Sequence, residues 1–450
     1  MGKLADLIEA NKEVLASIEA WDNGMRDVLY LYHAELTMFP RQTILCGTQR
    51  GLARDHNHIP LLQRLGRQNL RTDHWHYSPK VCLHTAPAHW CCCTDHSVEL
   101  RKWRERSLRQ FPAITNVFQP LSMAAWKLGP ALACGNTIVL KPAEQTPLSA
   151  LVLAQLIKQA GFPPGVVNVV NGYGAEAGTA LVQHPLVDKV AFTGSTATAK
   201  GIMGLAAKTL KNITLETGGK SPLLIFNDAD LEQAVKWAHA GIMSNQGQIC
   251  TATSRILVQR DIYSQFIAKY KETVSEVSKI GSQWDENTFQ GPQVSKAQLD
   301  RILSYVDKGK AEGATLAVGG KACPIDGKGF FVQPTVFTDV KDDMAIWREE
   351  VFGPFAVIGT FEDESEAIAR ANNSEYGLGA SVFTRDLERA HRVASEIEAG
   401  MVWINSSQDS DPRIPFGGVK QSGIGRELGE AGLEAYTQIK AVHVNLGSKL

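Results

Sequence analysis

A chain of 450 residues is too long for one ordinary hydrophobic core, so two or three domains are expected. Its 44% hydrophobic and 21% charged residues suit a soluble globular protein, and no apolar run nears the roughly 20 residues of a bilayer span. A net charge of -1 supplies no overall field to attract nucleic acid or an anionic membrane, so neither is expected as a partner.

Leu4, Leu7, Ile8, Val14, Leu15 and Ile18 recur at helical spacing and predict a helix over 3–20, ended by Asp22-Asn23-Gly24. Met1-Gly2-Lys3-Leu4-Ala5-Asp6 reads as neither a signal peptide nor a myristoylation site, which wants Ser or Thr at the sixth position. Residues 25–112 have a different character. They hold eight of the 12 histidines and five of the eight cysteines, and arginine outnumbers lysine eleven to two. Thirteen basic against seven acidic side chains give this stretch +6 and leave -7 for the rest. Neither the helical nor the strand period persists in it. Three readings stay open: a metal module built on Cys82, His84, His89, Cys91, Cys92, Cys93 and His96, a basic binding arm, or an aberrant stretch such as translated intron or a shifted frame. The ligands lack two matching pairs, so the aberrant reading is preferred and no metal is assigned. Cys134, Cys250 and Cys323 make no disulfide framework, which points to a reducing compartment.

From about residue 113 strand-like and helix-like runs alternate: 136–140, 147–160, 166–170, 175–183, 189–192 and 196–208. Such alternation predicts a parallel sheet with helical crossovers, a Rossmann-type cofactor domain over 113–218. Thr146 is the expected N-cap of helix 147–160 and Gly161 its stop. Further alternation predicts a second α/β domain over 219–420, before 421–450 returns to the first domain and ends in a short strand at 441–445.

Two stretches suit a dinucleotide. Phe192-Thr193-Gly194-Ser195-Thr196 places Gly194 where backbone must approach a ligand, and Ser195 where it caps a helix whose free N–H groups favour a pyrophosphate. Lys141-Pro142-Ala143-Glu144 sits at the carboxyl end of a buried strand, where the Glu144 carboxylate can accept from both ribose hydroxyls and would repel the 2′-phosphate of NADP, which favours NAD. Gly172-Tyr173-Gly174-Ala175-Glu176-Ala177 is read as a tight structural turn. Two further stretches suit chemistry. Glu216 precedes a double glycine in Leu215-Glu216-Thr217-Gly218-Gly219-Lys220-Ser221-Pro222, where burial would raise its pKa toward that of a general base. Cys250 lies on a glycine-containing loop, Asn245-Gln246-Gly247-Gln248-Ile249-Cys250-Thr251, from which a thiol can face a cleft with its own N–H beside it.

Together with Glu349-Glu350-Val351-Phe352-Gly353-Pro354, Pro415-Phe416-Gly417-Gly418 and Ser422-Gly423, these motifs resemble the NAD(P)-dependent aldehyde dehydrogenase superfamily over 3–24 and about 119–450. The resemblance implies an α/β, aldehyde dehydrogenase-like fold with cofactor domain, catalytic domain and a small oligomerisation strand. It implies Cys250 as nucleophile, Glu216 as base, Lys141 and Glu144 on the adenosine ribose, Gly194 and Ser195 by the pyrophosphate, Glu350 on the nicotinamide ribose, and Phe352 near the nicotinamide. It implies a small aldehyde substrate and a homodimer or homotetramer. The reaction expected is oxidation of the aldehyde through a thiohemiacetal and a thioester. Ile249-Cys250-Thr251 and 403–408 look nearest to the betaine-aldehyde and aminoaldehyde branch.

The sequence departs from that pattern in places. The aligned positions before Ser122 read Val117-Phe118-Gln119-Pro120-Leu121, without the asparagine that would give the second oxyanion donor. Thr217 stands for the usual leucine, the first strands of the cofactor sheet are not recognisable in 25–112, and sequence expected before Met1 is missing. A defective or alternatively spliced form of an active enzyme is therefore expected, and a pseudoenzyme retaining NAD or partner binding is the competing function. The final Ser448-Lys449-Leu450 reads as a peroxisomal address, with a cytoplasmic location as the alternative.

Overall fold

The computed structural model describes residues 1–24, 73–77, 111–114, 120–285 and 287–443. Two open sheets dominate. The first runs in the order Gly423–Ile424, Asn212–Glu216, Lys189–Thr193, Phe111–Ile114, Ile138–Lys141, Val167–Val169. Its pairings are parallel except for Gly423–Ile424, which pairs antiparallel with Asn212–Glu216. Val190, Ala191 and Phe192, and likewise Ile138, Val139 and Leu140, are buried throughout, as expected of strands covered on both faces.

The second sheet runs Met401–Ile404, Gly379–Phe383, Pro222–Ile225, Arg255–Gln259, Phe355–Phe361, Thr335–Thr338, Thr315–Val318, with only the last strand antiparallel. Successive side chains of its strands face opposite sides. Leu224, Leu257 and Val357 join Trp347 and Phe337 in one core, whereas Leu223, Ile225, Ile256, Val258 and Ile358 join Phe266 and Tyr270 in the other. The chain passes from the first sheet to the second through 217–221, so the residues after Glu216 lie where both sheets meet.

The predicted helix 3–20 is two helices, Gly2–Ala10 and Lys12–Asn23, broken at Asn11, and Gly24 closes the second in the left-handed region at φ 77°. Leu4, Ile8 and Leu15 pack with Leu153, Leu156 and Ile157 of Leu148–Ala160. Gly161 ends that helix as expected, but Thr146 makes no cap. The Leu148 N–H instead donates to the carboxylate of Asp22 at 2.9 Å, so the N-terminal helix supplies the missing acceptor. The expected helix at 175–183 begins as a wide turn, Gly174–Gly178, before Thr179–Gln183.

Residues 25–112 require a correction at two places. Phe111–Ile114 is an inner strand between Ile138–Lys141 and Lys189–Thr193, and Asp73–Tyr77 pairs antiparallel with Gln438–Val442. Strand pairing is made by backbone groups, which is why composition and side-chain periodicity did not reveal them. The Cys82–His96 cluster, Asn116, positions 117–119 and Ser448-Lys449-Leu450 lie outside the described residues. Among the described residues no helix is long and apolar enough to cross a membrane, and no three His, Cys, Asp or Glu side chains group as metal ligands.

Candidate active site

Glu216 is the last residue of its strand, and its side chain is buried. Neither carboxylate oxygen has a hydrogen-bond partner among the described residues. Burial first, and the nearby Glu427 carboxylate second, hold its pKa well above the ordinary glutamate value, while Lys127 and Arg426 oppose the shift. Gly417 abuts it: a Cβ there would come within 2.7 Å of Glu216 Oε1. Thr217 is tied on both counts, its N–H to Ser422 O at 3.1 Å and its hydroxyl to Gln421 O at 2.7 Å. The Ser422 hydroxyl continues the brace, donating to Gly218 O and accepting from Gly377 N–H.

The cysteine loop is held in an uncommon backbone shape. Asn245, Gln246 and Gly247 are successively left-handed, at φ 48°, 55° and 69°. Gln246 anchors it by donating to Gly24 O at 2.9 Å, and the Gln248 side chain accepts from Val294 N–H. Gly247 lies directly against the Gly353 carbonyl, leaving no room for a side chain. Behind the thiol, Thr251 donates to Gln408 Oε1, and Gln408 Nε2 donates back to Thr251 O at 2.8 Å.

Cys250 itself is half-buried. Its thiol is pushed up to about 12, first by burial, then by the charges of Glu216 and Glu350, against the backbone amides of Thr251 and Cys250, which favour the thiolate. The charges of the Glu216 strand end and of the Glu350 segment are thus both felt at the thiol. Gly219 lies between them: its N–H donates to Glu350 Oε1 at 3.0 Å, and a Cβ on it would meet Cys250 O at 2.5 Å. Gly219, Ile249, Glu350 and Phe352 line a common cleft. Phe352 adopts a left-handed φ of 62°, and Gln298 donates to its carbonyl at 2.6 Å.

The cofactor candidates group at the other sheet. Lys141 ends its strand and donates to Pro142 O and, at 3.2 Å, to Glu144. The Gly194 N–H donates to Glu216 O at 3.0 Å, and the Ser195 hydroxyl caps Thr196–Ala206 by accepting from Thr198 N–H. Both stretches stand at the carboxyl ends of parallel strands, where open α/β sheets bind nucleotides.

A sequence model of the Aldehyde dehydrogenase family matches residues 113–442. The chain belongs to the aldehyde dehydrogenase family. Similar proteins include an aldehyde dehydrogenase of Aspergillus niger, 45% identical over 449 residues, which span 100% of this chain and 82% of that one. An aldehyde dehydrogenase of Emericella nidulans is 54% identical over 332 residues, 74% of this chain and 66% of its own length. Human retinal dehydrogenase 2 is 52% identical over 331 residues, 73% of this chain and 63% of that protein. The chain thus covers slightly under two thirds of several curated relatives. Among solved structures, the NAD+ complex of an aldehyde dehydrogenase from Bacillus cereus superposes with TM-score 0.84 at 43% identity, covering 99% of this chain and 83% of that one. A betaine aldehyde dehydrogenase from Staphylococcus aureus, in complex with NAD+, gives 0.84 at 38% identity, covering 100% and 82%.

Two residues beside the candidate site were not singled out from sequence. Lys127 donates to both oxygens of Glu427, at 2.7 and 3.1 Å, and to the Thr193 hydroxyl at 2.8 Å, with both charged groups buried. A lysine on the otherwise buried helix Pro120–Ala133 was a legible signal of a buried ion pair, but its partner lies 300 positions away.

Proposed function

We propose that the chain oxidises an aldehyde to a carboxylate with NAD, with Cys250 as nucleophile and Glu216 as the base that activates water. The observation that carries this reading is the place of Gly219, in the crossing that begins after Glu216: its N–H donates to Glu350 Oε1 at 3.0 Å and it packs against the Cys250 carbonyl. The Glu216 carboxylate, raised in pKa and without a hydrogen bond among the described residues, suits a base that must hold a water.

The residues fit a dinucleotide. Glu350 presents a half-buried carboxylate beside the Cys250 loop, the Ser195 helix offers its first N–H groups, and Lys141 with Glu144 stands at a neighbouring strand end. Lys141 and Glu144 would hold the adenosine ribose, Gly194 and Ser195 the pyrophosphate, Glu350 the nicotinamide ribose, and Phe352 would lie near the nicotinamide. When bound, NAD supplies the hydride acceptor. The Cys250 thiol gives its proton to solvent as the sulfur bonds to the aldehyde carbon, giving a thiohemiacetal oxyanion that the Cys250 N–H would favour. After oxidation the thioester is hydrolysed: Glu216 takes a proton from water, the hydroxide adds to the acyl carbon, the carbon–sulfur bond breaks to release the carboxylic acid, and the proton held by Glu216 returns to the departing sulfur.

The aldehyde is a small molecule, with the betaine-aldehyde and aminoaldehyde class as the finer expectation. A homodimer or homotetramer and a peroxisomal location accompany the proposal. The exposed strand Gln438–Val442, with Ile439 71% exposed, supports assembly through that edge. NADH formation by the full chain with a panel of aliphatic, aromatic and cationic aldehydes, against Cys250→Ala, tests the activity. Turnover that survives in Cys250→Ala, or no turnover by a folded wild type that binds NAD, would overturn it, the latter in favour of the pseudoenzyme.

A further inference from the structure

Arg255 opens the strand that follows the Cys250 loop, and it is 1% exposed. A guanidinium buried this deeply ordinarily sits against a carboxylate. Among the described residues Arg255 makes no ion pair, and its N–H groups go to main-chain carbonyls instead: Nε donates to Lys220 O at 2.7 Å, Nη1 to Arg370 O at 3.1 Å and Nη2 to Ala371 O at 2.8 Å. The last two carbonyls belong to the final turn of the helix Glu364–Asn372, where no partner exists within the helix. Burial lowers the Arg255 pKa to about 10, so at neutral pH a full positive charge stands at that helix end, where a cation is favoured. The guanidinium carbon also lies 5.5 Å from the centre of the buried Trp347 ring.

The bond to Lys220 O is the one that reaches the site. The crossing 217–221 is anchored upstream by the 421–422 segment: the Thr217 N–H donates to Ser422 O at 3.1 Å, and the Ser422 hydroxyl donates to Gly218 O at 2.7 Å. Downstream, the Arg255 backbone N–H donates to Ser221 O at 3.3 Å while its side chain holds Lys220 O. Gly219 is strung between these two anchors. Its N–H donates to Glu350 Oε1 at 3.0 Å. A side chain on Gly219 would overlap the Cys250 carbonyl, and one on Gly218 would overlap the Glu350 carboxylate. Backbone packed this closely on both sides transmits a change at either anchor to Glu350.

We propose that Arg255 is a positioning residue for the nicotinamide end of the coenzyme: by tying Lys220 O to the last turn of Glu364–Asn372, it holds Gly219 where its N–H fixes the Glu350 carboxylate. This rests on the assignment of Glu350 to the nicotinamide ribose. The effect is confined to one end of the coenzyme. Lys141, Glu144 and Ser195 stand at the other sheet, and none of the three carbonyls held by the guanidinium belongs to them. A lysine at 255 would keep the charge but lose the planar fork that reaches three carbonyls at once.

The test measures dissociation constants of the full chain for NAD and for AMP, which lacks the nicotinamide ribose, by isothermal titration calorimetry. Arg255→Met should weaken NAD about tenfold, the scale of one hydrogen bond to a charged group, and leave AMP unchanged. Glu350→Gln should also weaken NAD selectively, and adding Arg255→Met to it should cost little more, because both act through one contact. A folded Arg255→Met with wild-type NAD affinity, an equal loss for NAD and AMP, or fully additive losses in the double variant would each overturn the proposal. If Arg255→Met does not fold, Arg255→Lys carries the same comparison, and wild-type NAD affinity there overturns it equally. Wild-type NAD affinity in Glu350→Gln would overturn the ribose assignment itself, and the proposal with it.

Discussion

Lys127 and Glu427 form a buried ion pair at 2.7 Å across 300 positions of chain, and the Glu427 charge is felt by the Glu216 carboxylate. The pair carries the helix Pro120–Ala133 into the floor of the site and holds one negative charge near the base without touching it. Removing one partner leaves the other buried and uncompensated, which typically destabilises by about 3–5 kcal/mol. Lys127→Met should therefore lower the urea midpoint strongly, and Lys127→Met with Glu427→Leu should recover most of the loss. Equal stability for single and double variants would contradict this account.

Glu216→Gln should uncouple the two halves of the reaction. Removing a general base commonly reduces its step by about 10²–10⁴-fold, so steady turnover should collapse while a first burst of NADH, one per site, remains. Stopped-flow absorbance separates the two; loss of the burst would move Glu216 to an earlier step.

The same substitution should stabilise the fold at alkaline pH. A carboxyl whose folded pKa is raised favours the folded state fully below its unfolded pKa, near the ordinary 4.5, and that contribution is lost as pH rises through the folded value. Glu216→Gln carries no charge, so its Tm should exceed that of the wild type at pH 8, and the gap should close toward pH 4.5. Identical melting curves at pH 8 would show that the carboxyl is not held in a desolvated site.

The Cys250 thiol, raised to about 12 by burial and then by Glu216 and Glu350, should alkylate slowly at neutral pH in the free protein. Iodoacetamide labelling should accelerate with pH, and Glu216→Gln should label faster than wild type at pH 9, because one repelling charge is gone. A slower rate in the variant would show that Glu216 deprotonates the thiol directly.

Gln408 grips Thr251 through both ends of its amide, at a left-handed φ of 61°. Gln408→Glu replaces the donor facing Thr251 O with an acceptor, and a buried polar mismatch of this kind costs about 1–3 kcal/mol. kcat/KM should fall by roughly tenfold to a hundredfold if that strain reaches the sulfur, and unchanged kinetics would confine the grip to loop stability.

Much of this was readable along the chain. Local chemistry reveals Gly24 and Gly161 as helix stops, Ser195 as a cap, and the alternation of buried strands and helices, since each depends on a few adjacent residues. The motifs around Glu216, Cys250 and Glu350 were legible because reactive residue types on glycine-bearing turns are sparse. The strands Asp73–Tyr77 and Phe111–Ile114 were not, because their places are set by backbone pairing with partners far along the chain.

By itself the sequence determined the family and the layered α/β order, and it singled out Cys250 and Glu216 as the proposed nucleophile and base, because these follow from residue type and short-range spacing. Only the tertiary structure decided that Asp22 would cap a helix starting at Leu148, that Lys127 would meet Glu427, and that Glu350 would accept from the Gly219 N–H. Those are electrostatic contacts between segments distant in sequence. Their strength depends on burial and separation, which exist only once the chain has folded.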